Sequence, residues 1–156
     1  MLDTPSAPVT TTAQPAAVIH ITVPRDQIQQ VMGPAIQEVI GAAQAQNIGP
    51  KGPVFAHHFG MTPGIFNFEV GVPVSGTVQP VGRVKAGEIP GTTIVRTVYT
   101  GPYEDLGEAW GDFQEIIESQ GHTLGPNLWE RYLSGPESSE DSATFRTELN
   151  QTILVP

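Results

Sequence analysis

The chain predicts an α+β fold: a duplicated βαββ pseudo-symmetric domain, with antiparallel sheets, helices on one side and a central ligand cleft. Three observations carry this. The order strand, helix, strand, strand is legible twice. Strand segments alternate with period two, while the segments between them hold apolar residues at helical spacing. The halves also share text: GPVFAHHF (52–59) and GPNLWERYL (125–133) both begin with Gly-Pro after a helix, and FNFEV (66–70) and FRTEL (145–149) both carry Phe-x-x-Glu. The half-repeats span about 17–74 and 92–156. They make one domain over 17–156, because each half is too small to bury a core alone.

Residues 1–16 are rich in Pro, Thr and Ala and are expected to form a disordered tail. The N-terminus has no basic residue and no apolar run, so no signal peptide is expected. AVIHITV (17–23) alternates as a strand, with Ile19, Ile21 and Val23 toward the first helix and Val18, His20 and Thr22 toward the cleft. Ile28, Val31, Ala35, Val39 and Ala42 recur at helical spacing, and Gly33-Pro34 should kink or restart that helix. VFAHHF (54–59) and IFNFEVGVPV (65–74) are strands joined by a turn around Pro63-Gly64. A Gly/Pro-rich connection over 75–91 holds at most a short strand near Val81.

TTIVRTVY (92–99) opens the second half as a strand. Gly101-Pro102 then starts a helix with Tyr103, Leu106, Trp110, Phe113 and Ile117 along one face. Glu104, Glu108, Asp112 and Glu115 line another face, which reads as solvated. NLWERYL (127–133) and TELNQTILV (147–155) are the last strands, separated by a polar loop over 134–143.

Composition narrows the function. With 38% hydrophobic and 15% charged residues the chain folds but carries a sparsely charged surface. Its net charge of −9 repels nucleic acid and anionic membranes, so a ligand drawn by charge is a cation. No apolar run is long enough to span a bilayer. There is no cysteine, which removes disulfides and thiol chemistry and fits the cytoplasm. No phosphate-cradling loop with a lysine, no nucleophile elbow and no metal-ligand spacing is present, and no cofactor or metal is expected.

Glu130 is the residue that asks for a reason. Alternation places it between Leu128 and Tyr132 on one strand face, with Trp129, Arg131 and Leu133 on the other. A carboxylate among apolar neighbours costs free energy unless it is paired or serves a ligand. A structural partner would be Arg96 or Arg146, but basic residues number only seven. Under a helix the carboxylate would lack water, so Glu130 and Tyr132 are assigned to the cleft. Tyr132 reads equally as strand packing. Tyr103 stands at the rim of the helix stripe, and Trp110 is core that can touch the cleft floor. Trp129 is core. In the first half Ala56 and His58 match the Glu130 strand, and His20 also faces the cleft. Glu69 and its repeat mate Glu148 are each either a second acidic group or a solvated edge residue.

FEVGVPV, GEIPGTTIVRTVYTGPYEDLGEAW, WERYLSGP and TELNQTILVP together resemble the GyrI-like small-molecule-binding domain, the effector-binding module of some multidrug-responsive transcription regulators. The resemblance runs from about Val18 to Pro156. It implies the duplicated fold with its central cleft, Glu130 as the buried acid of the ligand site, and Tyr103 in an aromatic wall. No helix-turn-helix segment precedes the domain, so a stand-alone form is expected. The readings that follow are capture of hydrophobic or cationic aromatic drug-like molecules, and hydrolysis of cyclopropane-bearing genotoxic natural products. In the second, Glu130 is the general base and Tyr103 or Tyr132 the hydroxyl donor. A weaker third reading is a protein-binding gyrase inhibitor. Oligomeric state is left open.

Overall fold

The computed structural model describes residues 1–59, 64–135 and 139–154, the side chains of Arg25 and Gln29 apart. The expected turn at Pro63, part of the loop over 134–143, and Val155 of the last strand fall outside them. The architecture is α+β: β1 (Val9–Thr10), β2 (Gln14–Pro24), α1 (Ile28–Ala45), β3 (Phe55–His58), β4 (Ile65–Pro73), β5 (Lys85–Ile89), β6 (Thr93–Thr100), α2 (Leu106–Ser119), β7 (Thr123–Ser134) and β8 (Arg146–Leu154). Short 3-10 turns lead into both helices. Among the described residues no helix is long and apolar enough to cross a membrane.

The chain divides into two compact units, residues 12–91 and residues 1–11 with 92–156. In the first unit the strand order is β3-β4-β2-β5, all antiparallel. α1 packs on β2 and β4, over the face of Ile19, Ile21, Phe68 and Val70, all buried. The helix runs unbroken past Pro34. Gly33 helps, because a preceding residue without a Cβ removes part of the clash with the proline ring.

β5 is a fourth strand where only a short one near Val81 was expected. Val81 instead closes a tight turn with Val84, and β5 follows it to pair with the outer edge of β2. Fully buried Val18 sits against two glycines of the neighbouring strands. A methyl on Gly71 would meet Val18 Cγ1 at 2.7 Å and the Ala17 carbonyl oxygen at 2.5 Å, and one on Gly87 would meet Val18 Cγ2 at 2.6 Å.

The second unit has the order β1-β6-β8-β7, again antiparallel. Val95, Tyr99, Ala109, Trp110, Phe113, Ile117, Leu128, Leu149 and Ile153 form its core beneath α2. Each large apolar side chain buried there contributes about 1.5–3 kcal/mol. The helical stripe read from sequence is thus the packed face from Leu106 onward, Leu106 partly buried against the core, while Tyr103 is exposed at its start.

Residues 1–16, expected as a disordered tail, are hydrogen-bonded. The Asp3, Ser6 and Thr11 N–H groups donate to the carbonyls of Val98 (2.9 Å), Arg96 (2.8 Å) and Thr92 (2.8 Å), and β1 pairs with β6. Pro5 and Pro8 precede β1, in a segment running along the sheet edge, where a missing N–H breaks no inner ladder. β2 likewise begins at Gln14, three residues earlier than its alternation suggested.

Two glycines separate packing from backbone entropy. Gly71→Ala is expected to lower unfolding stability by about 1–3 kcal/mol through overpacking. Gly41→Ala, in α1 with open space around it, is expected to raise it by about 1 kcal/mol. Urea melts of the two variants check both signs.

Candidate functional site

Period-two geometry puts Leu128, Glu130 and Tyr132 of β7 on one face, opposite Gln151, Leu149 and Thr147 of β8. Leu128 and Leu149 belong to the core beneath α2. Glu130 therefore lies on the helix-covered face, not on the face turned away from the helix as its acidity had suggested. That expectation assumed that a carboxylate under a helix has no partner. The helix supplies one: the Trp110 indole N–H donates to Glu130 Oε1 at 2.8 Å. The Tyr132 hydroxyl donates to Oε2 at 2.9 Å.

Glu130 is 7% exposed, and both its partners are neutral. Neither arginine considered from sequence pairs with it. Arg96 is held by Glu148 and Asn150, Arg146 is exposed, and no ion pair to Glu130 exists among the described residues. Burial pushes the carboxyl pKa up, and the bonds from Trp110 and Tyr132 pull it down; burial prevails and the value is raised. The Tyr132 phenol is pushed well above its ordinary value, chiefly by burial and then by the adjacent Glu130 charge. It consequently remains a donor at any physiological pH.

More rings surround this pair. Tyr103 meets Tyr132 edge-on, with centroids 6.0 Å apart, and lies 5.2 Å from Phe145. Trp110 lies 5.8 Å from Phe113. Tyr103 is 37% exposed and gives the group its solvent-facing side. A small node sets its position. The Gly101 N–H donates to the Phe145 carbonyl (2.8 Å), and the Tyr99 hydroxyl donates to the Pro102 carbonyl (2.9 Å). A Cβ at position 101 would fall 2.5 Å from the Tyr99 oxygen, so only glycine lets the chain turn there into Tyr103. Phe145 was missed as a site residue. Its one signal was the shared Phe-x-x-Glu text, read as a mark of repetition rather than of position.

The structure thus brings together Glu130, Tyr132, Trp110 and Tyr103. It sorts the first-unit candidates differently. His20, Glu69 and His57 are cross-strand neighbours and share one face. His58 pairs with Phe68, which pairs with Ile21, so His58 is on the other, helix-covered face. His20 and His58 therefore do not line one surface as expected. Glu69 is ion-paired with Lys85 at 3.6 Å. Glu148 lies opposite Arg131 and shares its face, away from Glu130. Glu104, Glu108, Asp112 and Glu115 are exposed. Trp129 is fully buried.

The family model described as the GyrI-like small molecule binding domain matches residues 8–150. Among solved structures, the EcmrR C-terminal domain is similar over 96% of this chain and 97% of its own, at 21% identity and TM-score 0.82. EcmrR in its DNA complex matches 94% of this chain with TM-score 0.80 and 21% identity; the chain spans 56% of that one. SAV2435 bound to tetraphenylphosphonium matches 95% of this chain and 93% of its own, with TM-score 0.61 and 12% identity. A hydrolase from Listeria innocua matches 96% and 91%, with TM-score 0.61 and 13% identity. At such identities these likenesses establish the fold. No match is found among curated protein sequences.

Removing the indole donor tests the arrangement. Trp110→Phe should cost about 1–3 kcal/mol above the raised Glu130 pKa, because one oxygen of the buried, ionised carboxylate then loses its partner. The cost should shrink in acid, where the carboxyl is protonated. Glu130's folded pKa is raised, so its contribution is fully present below the unfolded value and is lost as pH rises through the folded one. Glu130→Gln should therefore gain stability relative to wild type over that rise. Chemical melts across pH check both trends.

Proposed function

The chain belongs to the GyrI-like small-molecule-binding family, and on that premise we propose that it binds hydrophobic, cationic aromatic molecules at the ring cluster around Glu130. The observation that carries this reading is a buried carboxylate whose two partners are neutral donors. Its desolvation has already been met in folding. An incoming cation gains the charge attraction in a low-dielectric setting without first stripping water from the acid. The faces of Tyr103, Tyr132 and Trp110 would add cation–π attraction of about 0.5–2 kcal/mol each where they meet the charge. The tetraphenylphosphonium bound to SAV2435 is a ligand of this chemistry.

A second reading rests on the raised pKa of Glu130 beside a tyrosine held in its protonated form. That is a base next to a hydroxyl donor, the pair needed to open a cyclopropane fused to a dienone. The carboxylate would take a proton from the attacking water, and a tyrosine hydroxyl, Tyr132 or Tyr103, would donate to the carbonyl as negative charge develops. The Listeria innocua neighbour described as a hydrolase fits this reading in kind. Ligand capture ranks first because both readings require it.

Titration calorimetry with tetraphenylphosphonium, which has no titratable group, tests the proposal. Affinity should rise with pH through the raised Glu130 pKa, with proton release on binding, since the cation favours the ionised acid. Glu130→Gln should weaken binding about tenfold or more while the chain stays folded. Unchanged affinity in that variant would sink the assignment of Glu130. Catalytic consumption of a cyclopropane-fused dienone, lost in Glu130→Gln, would move the second reading ahead.

A further inference from the structure

The opposite face of the same sheet carries a second charged constellation. Strand parity and register place Arg96 of β6, Trp129 and Arg131 of β7, and Glu148 and Asn150 of β8 together on it. Glu148 and Asn150 are buried. Arg131 Nη1 donates to both Glu148 oxygens, at 3.0 and 3.2 Å. Arg96 Nε donates to Asn150 Oδ1 at 2.6 Å and stands 3.3 Å from Glu148 Oε1. Asn150 Nδ2 donates to the same Oε1 at 3.0 Å.

Two guanidinium groups thus converge on one carboxylate oxygen, and the cluster keeps a net positive charge. One bidentate arginine would neutralise Glu148. The second is surplus to that need, in a chain that has seven basic residues against sixteen acidic ones. Arg96 reaches its partners through Nε alone, which leaves both terminal nitrogens without an acceptor among the described residues. Arg131 likewise uses only Nη1. The side chains of Arg96 and Arg131 are 37% and 29% exposed, so these donors are within reach of solvent.

We propose that Arg96 and Arg131 form an anion site that takes a carboxylate, on the sheet face away from Glu130. Buried Asn150 and Glu148 fix the two forks beforehand, which lowers the ordering cost of binding. A planar carboxylate matches the paired N–H groups of a guanidinium edge. The surplus charge is single, and the chain's −9 opposes multiply charged anions, so a monoanion is favoured over a phosphate dianion.

The test titrates the full chain with benzoate and acetate against chloride at constant ionic strength. The readouts are thermal unfolding and the NMR signals of the Trp129 indole and the arginine side chains. A saturable response to the carboxylates, weakened about tenfold in Arg96→Gln, is expected. That variant keeps the Arg131–Glu148 pair, and its melt in chloride reports whether the fold is intact. A response no larger than that to chloride, or one that survives Arg96→Gln undiminished, would overturn the site. Tighter binding of inorganic phosphate than of benzoate would overturn its assignment to carboxylates.

Discussion

The hydrogen bond from the Trp110 indole to Glu130 is the constraint on which the second unit depends. An ion removed from water under a helix carries a penalty of several kcal/mol that only well-placed donors offset. The helix provides one from its own core stripe, and the strand provides the other two residues along, from Tyr132. Trp110 is therefore both a core residue and a donor to the buried carboxylate. Its ring packs against Phe113 while its single polar atom fixes the carboxylate. The same side chain ties the helix to β7, so the packing of the unit and the chemistry of the site cannot be varied separately.

One sheet separates two unlike electrostatic settings. On the α2 face a carboxylate is buried among rings with neutral donors. One residue further along β7, Arg131 points the other way and shares Glu148 with Arg96. Period-two geometry alone produces this separation. It also explains why Glu130 has no arginine partner although Arg131 is its chain neighbour.

Much of this was legible in the residues. Alternation along β7 joined Glu130 to Tyr132, and helical spacing found the stripe containing Trp110, because both periodicities are local. The covered side of the sheet was not legible. The indole that makes a buried carboxylate tolerable lies twenty positions away in sequence, and no pattern within β7 announces it. β5 and the N-terminal segment escaped for a different reason. Each adds to a sheet edge through backbone groups, and Lys85–Ile89 shows little of the apolar alternation that marks a half-buried strand. In the first unit, alternation gave His20 its face, while His58 required the register of β3 on β4 to be known.

The chain contains only two tryptophans, and they stand on opposite faces of one sheet. Trp110 donates to the carboxylate of Glu130, and Trp129 is enclosed beside Asn150 on the arginine face. An indole's emission responds to the charge next to it. The intrinsic fluorescence of this protein therefore divides into two channels, one for each side of β7. Replacing either indole by phenylalanine would isolate the other as an optical probe of its own face, with no label attached.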